Sequence, residues 1–235
     1  MNYKTIQQPA NALYEISRSE FFSFIFPVQT ELQAQEHIAA IRKKHWDARH
    51  CCFAYSIGEH AALQKADDDG EPSGTAGKPI LEVLKKQELH DVLILVVRYF
   101  GGIKLGAGGL IRAYGKAATM AIDATSIVMK TEFSQVKATL PYTLLGTLEN
   151  YLHQKEILID NKEYTDQVSL ILLLPEDLSE KIQGDLTDLT GAQCRLETIG
   201  KKSLNIPLSQ KTPLSAHPER GVFLFDFQIS TKFFF

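Results

Sequence analysis

The chain has 235 residues, 44% of them hydrophobic and 23% charged, a globular composition long enough for two modest cores. Its 25 basic and 28 acidic residues leave a net charge of −3, so no global positive field exists and any nucleic-acid binding must come from a local patch. Three cysteines, two of them adjacent at Cys51 and Cys52, make no disulfide framework and point to a reduced compartment.

In chain order, the opening MNYKTIQQPANALYEI carries no apolar leader core, and no apolar run approaches the length of a bilayer span. A cytoplasmic protein without membrane contact is expected. FFSFIF within Glu20 to Val28 predicts a strand, and Thr30 is placed to cap a helix over 31–44 with Leu32, Ala34, Ile38 and Ile41 at helical spacing. The basic run Arg42 to His45 then sits at the negative end of that helix dipole, so a structural role suffices for it. Strands are expected over 51–57 and 62–66, a short helix over 79–87 with Pro79 in its first turn, and a strand over the unbroken apolar run 91–97. A glycine-rich turn and a helix over 107–124 complete a first domain, residues 1–125, read as an α/β sandwich with helices on one face.

The pattern then restarts. Strand 133–140, helix 143–155, strands 157–164 and 167–174, a helix opened by Pro175 and closed near Leu189, and strand 194–199 give β-α-β-β-α-β over a second domain, residues 126–200. Residues 201–235 form an extension in which Val222 to Ile229 alternates like a strand.

Two loops of opposite charge flank the central apolar run. After it come Arg98, Gly101, Gly102, Lys104, Gly106, Gly108 and Gly109, then Arg112 and Lys116 one helical turn apart. Glycines let main-chain amides approach a ligand, and a helix N-terminus favours an anion, so this turn is a candidate phosphate or nucleic-acid site. Before it come the acidic residues Asp68, Asp69 and Glu71 with Ser73 and Lys78. Clustered carboxylates point to water, meet a cation or cap a helix. Neither loop satisfies a Walker or dinucleotide-binding pattern: Lys78 is followed by Pro79, and Gly106-Ala-Gly108-Gly109 has the wrong spacing. His45, His50, Cys51 and Cys52 lack the two spaced pairs of a zinc site, and buried small cysteines are the expectation.

The strings DDGEPSGTAGKPILEVL and VRYFGGIKLGAGGLIRAY, with HCCFAYSIG before them, resemble the signature of the IMPACT family, more weakly as far as about Gly200. The resemblance implies an α+β protein of two α/β-sandwich domains. The first would be like the second domain of a small-subunit ribosomal protein and the second ferredoxin-like, similar to a domain of a translocating elongation factor. Eukaryotic relatives are translation regulators that act largely through an additional N-terminal domain, which this chain is expected to lack. The function expected is therefore non-enzymatic: a translation-associated RNA- or ribosome-binding protein using the glycine-rich loop, with a protein partner at the C-terminal domain. No cofactor, metal or catalytic residue is assigned. The rival is an enzyme acting on a phosphorylated small molecule, with Asp68, Asp69 or Glu71 placing Mg²⁺.

Overall fold

A computed structural model describes residues 2–208, which form two five-stranded sheets and five α-helices. The expected strand at Val222 to Ile229 lies outside the described residues.

The first sheet has the order β2 (Ala10–Ile16), β3 (Ser19–Pro27), β6 (Val92–Tyr99), β4 (His50–Ile57) and β5 (Leu63–Asp67). β6 is central and its residues Val92 to Val97 are fully buried, as an unbroken Val/Leu/Ile run demands. Helices cover both faces of this sheet, not one. α2 (Gly77–Lys86) and α3 (Gly106–Asp123) pack over Phe21, Ile25, Ile94 and Val96, whereas α1 (Glu31–Lys44) lays Ala34, Ile38 and Ile41 against Cys51, Phe53, Leu93 and Leu95 on the opposite face. Side chains alternate along a strand, so a run apolar at every position needs cover on both sides. α1 begins where Thr30 was expected to cap it: the Thr30 hydroxyl accepts from the Gln33 amide at 3.2 Å.

The second sheet carries β7 (Ile127–Leu140), β8 (Leu158–Tyr164), β9 (Val168–Pro175) and β10 (Arg195–Pro207), with α4 (Tyr142–Gln154) and α5 (Ser179–Leu189) packed on one face. Its order β10-β7-β9-β8, antiparallel throughout, is that of a ferredoxin-like sandwich. β10 runs eight residues past the expected end, through Gly200 to Pro207.

The fifth strand of this sheet comes from the other end of the chain. β1 (Asn2–Ile6) pairs with Ile127 to Thr131 of β7, the stretch that β9 leaves unpaired by ending at Phe133. Asp91, buried at the foot of β6, ties the halves: its carboxylate accepts from Tyr3 at 2.5 Å, Lys130 at 2.9 Å and the Gly58 amide at 2.9 Å. Among the described residues no helix is long and apolar enough to cross a membrane.

Candidate nucleic-acid interface

The acidic loop closes on itself before it can meet anything else. One Asp68 oxygen accepts from the amides of Ala76 and Gly77 at 3.0 and 2.8 Å, and the other from Gly74 at 2.7 Å. Asp68 thereby caps α2, whose own flanking residue, Ala76, offers no side-chain acceptor. Asp69 takes Arg42 at 2.8 Å and the Cys51 amide at 2.7 Å. Gly77 is required by this closeness, since a Cβ there would lie 2.6 Å from the Asp67 nitrogen. Ser73 and Lys78 point to solvent. Asp68, Asp69 and Glu71 thus have separate protein partners and do not converge; among the described residues no group of three His, Cys, Asp or Glu is arranged to hold a metal ion.

Burial would raise the Asp68 carboxyl, but the amides of Gly74, Gly77 and Ala76 outweigh it and hold the group below the usual aspartate value of 3.8. Asp91 is likewise depressed: burial opposes ionisation, but Lys130, Tyr3 and the Gly58 amide prevail. A carboxyl depressed in the folded state contributes stability that is complete above 3.8 and lost as pH falls through the lower folded value. Thermal midpoints measured from about pH 6 to pH 3 should therefore fall steeply only at the acid end. Asp68→Asn, which has no proton to gain, should flatten that acid limb; an unchanged limb would contradict the assignment.

The two loops meet through Glu71. It is buried, and its Oε1 accepts from Arg98 at 2.7 Å and from the Tyr114 hydroxyl at 2.8 Å. Cys52 lies beside them, its thiol donating to the Asp68 carbonyl at 3.0 Å with the Tyr114 hydroxyl 3.4 Å away. Burial raises the Cys52 thiol and the Tyr114 phenol far above their ordinary values, so both stay protonated donors. Cys51 is pushed up to about 11 by burial, and all three cysteines are free and buried, as expected.

Arg98 is consequently not one of the exposed cations. Its side chain is 8% exposed, committed to Glu71 and stacked between Phe21 and Phe100, each ring centroid 5.5 Å from the guanidinium carbon. A charge this deep requires a partner, and Glu71 is the one within reach.

Beyond Arg98 the chain turns outward. Gly101 is pressed against the turn between β2 and β3, its amide donating to the Ser19 hydroxyl at 3.1 Å. Gly102 and Gly106 have φ of +85° and +68°, the left-handed region open to glycine. Gly109 packs on Leu105. α3 starts at Gly106 with no capping side chain and no acidic residue in its first turn. Gly106, Ala107 and Gly108 are exposed, as are Lys104, Arg112 and Lys116. Arg112 reaches back toward the helix start, its Nη1 3.6 Å from where a Gly108 Cβ would stand. The helix dipole, free first-turn amides and three cations form a surface suited to an anion. Phe100, which the sequence reading passed over, is 54% exposed; an aromatic immediately before a glycine pair was the available signal.

The Impact N-terminal domain matches residues 17–122, and a domain of unknown function (DUF1949) matches residues 139–193. IMPACT family member YvyE of Bacillus subtilis is 42% identical over 192 residues, covering 82% of this chain and 88% of that one. IMPACT family member YigZ of Escherichia coli is 33% identical over 193 residues, covering 81% and 95%. Protein IMPACT of Xenopus laevis is 33% identical over 94 residues, 38% of this chain and 30% of that one. A crystal structure described as that of a hypothetical protein superposes with a TM-score of 0.56 at 31% identity, covering 84% of this chain and 97% of the other. On these matches, spanning both halves, the chain belongs to the IMPACT family.

Proposed function

We propose that this protein is a non-enzymatic, translation-associated binding protein that holds the phosphate backbone of RNA at the start of α3. One observation carries the reading: an uncapped helix N-terminus with exposed glycines and no acidic side chain in its first turn, with Lys104 exposed just before it and Arg112 and Lys116 exposed further along α3. Phosphate oxygens gain from the amides and the dipole, and each neutralised phosphate releases counterions. The translation association comes from the family resemblance, and the ferredoxin-like half is the surface for a protein partner or the ribosome. Because Asp68, Asp69 and Glu71 are occupied by protein groups, nothing favours the phosphoryl-chemistry alternative.

Fluorescence anisotropy with labelled RNA tests the reading. Affinity should fall steeply between about 50 and 200 mM salt, and Arg112→Ala with Lys116→Ala should lower the log–log salt slope by about two. Absent or salt-independent binding would overturn it.

A further inference from the structure

Resting on the RNA reading above, we infer that this corner takes single-stranded rather than duplex RNA, one unstacked base lying on the outer face of Phe100.

The ring is exposed but not loose. On its inner side the Arg98 guanidinium lies 5.5 Å from the centroid, and Glu71 holds that guanidinium from behind at 2.7 Å. The Arg98 Nε is buried without a hydrogen-bond partner among the described residues. The side chain therefore forgoes a bond while remaining sandwiched between Phe21 and Phe100. On the C-terminal side, Gly101 is seated against the backbone of Arg18 and Ser19, which fixes the direction in which the chain leaves the ring. A large aromatic surface has thus been made rigid at its back and left open to solvent at its front.

The turn and helix start that follow it in the chain share the mixed character. Ile103 is 46% exposed beside Lys104, and Ile111 is 45% exposed beside Arg112. Aromatic and aliphatic surface interleaved with cations is the composition of a platform on which bases stack while the backbone follows the positive groups. Duplex RNA keeps its base faces inside the helix and offers phosphates and 2′-hydroxyls, so it would use the cations and leave Phe100 bare. A protein partner would use the apolar atoms but gain less from three cations that have no acidic partner among the described residues.

The test uses the full chain with a single-stranded RNA of about twelve nucleotides carrying 2-aminopurine, and the same strand annealed to its complement. Wild-type protein should bind the single strand more tightly and change the 2-aminopurine fluorescence. Phe100→Ala should weaken single-strand binding about tenfold and abolish the fluorescence change, with duplex binding little altered. Phe100→Leu, which keeps apolar cover over Arg98 but has no ring, should behave like the alanine variant, and Phe100→Trp should retain binding. Equal affinity for the two forms, or unchanged single-strand binding by Phe100→Leu, would overturn the stacking inference while leaving phosphate binding intact. Failure of the wild type to bind either RNA would remove both.

Discussion

Arg98→Ala is expected to lower the free energy of unfolding by about 3–5 kcal/mol, because it strands the Glu71 carboxylate in the interior with, among the described residues, the Tyr114 hydroxyl as its remaining side-chain partner. Against a total stability of roughly 5–15 kcal/mol, the loss would move a urea midpoint far down or leave the chain partly unfolded. The size comes from the unpaired charge left behind, not from the net contribution of the pair. Replacing both partners with apolar residues, Arg98→Met with Glu71→Leu, should therefore recover much of the loss. Urea titration of the two single variants and the double variant checks this. A loss below about 1 kcal/mol for Arg98→Ala would mean that the pair behaves as a surface salt bridge.

Gly101→Ala should be as severe for a steric reason. A Cβ there would fall 1.8 Å from the Arg18 carbonyl oxygen and 1.9 Å from its carbon, and both belong to backbone that cannot rotate aside. A cost of at least about 3 kcal/mol is expected, through forced separation of the β2–β3 turn from the end of β6. Gly102→Ala is the control. Its site is sterically open but has φ of +85°, so it should cost only about 1–2 kcal/mol of backbone strain. Thermal or urea unfolding of the pair separates the two mechanisms, and equal costs would contradict the contact.

What could be read from the residues was what depends on near neighbours. The Thr30 cap, the both-sided burial of β6, the glycine-started helix α3 and the β-α-β-β-α-β order all arise from local pattern. The hairpin of β2 and β3 escaped because its two turn residues, Ser17 and Arg18, adopt φ of 49° and 61° without the Asn-Gly signal that such turns usually carry. β1 and the outer length of β10 are short on apolar alternation, and each is held by partners far along the chain.

The site divided on the same line. Lys104, Arg112 and Lys116, which follow the glycine-rich turn and share a helical spacing, are exposed. Arg98 belongs inside because Glu71, distant in sequence, waits there for it, and nothing in the residues around Arg98 announces that partner. The acidic loop was legible only as a set of alternatives. Its carboxylates leave water, a cation or a helix cap open, and Asp68 takes the cap, through main-chain amides that every sequence contains and none displays.

The placement of β1 bears on how the molecule is made. β1 finds its edge only when β7, beginning at Ile127, has also been made. Until then β1 is an unpaired arm beside a sheet whose five strands, β2 to β6, all precede β7, so the seam joining the two halves closes across a longer span of chain than any other strand pairing among the described residues.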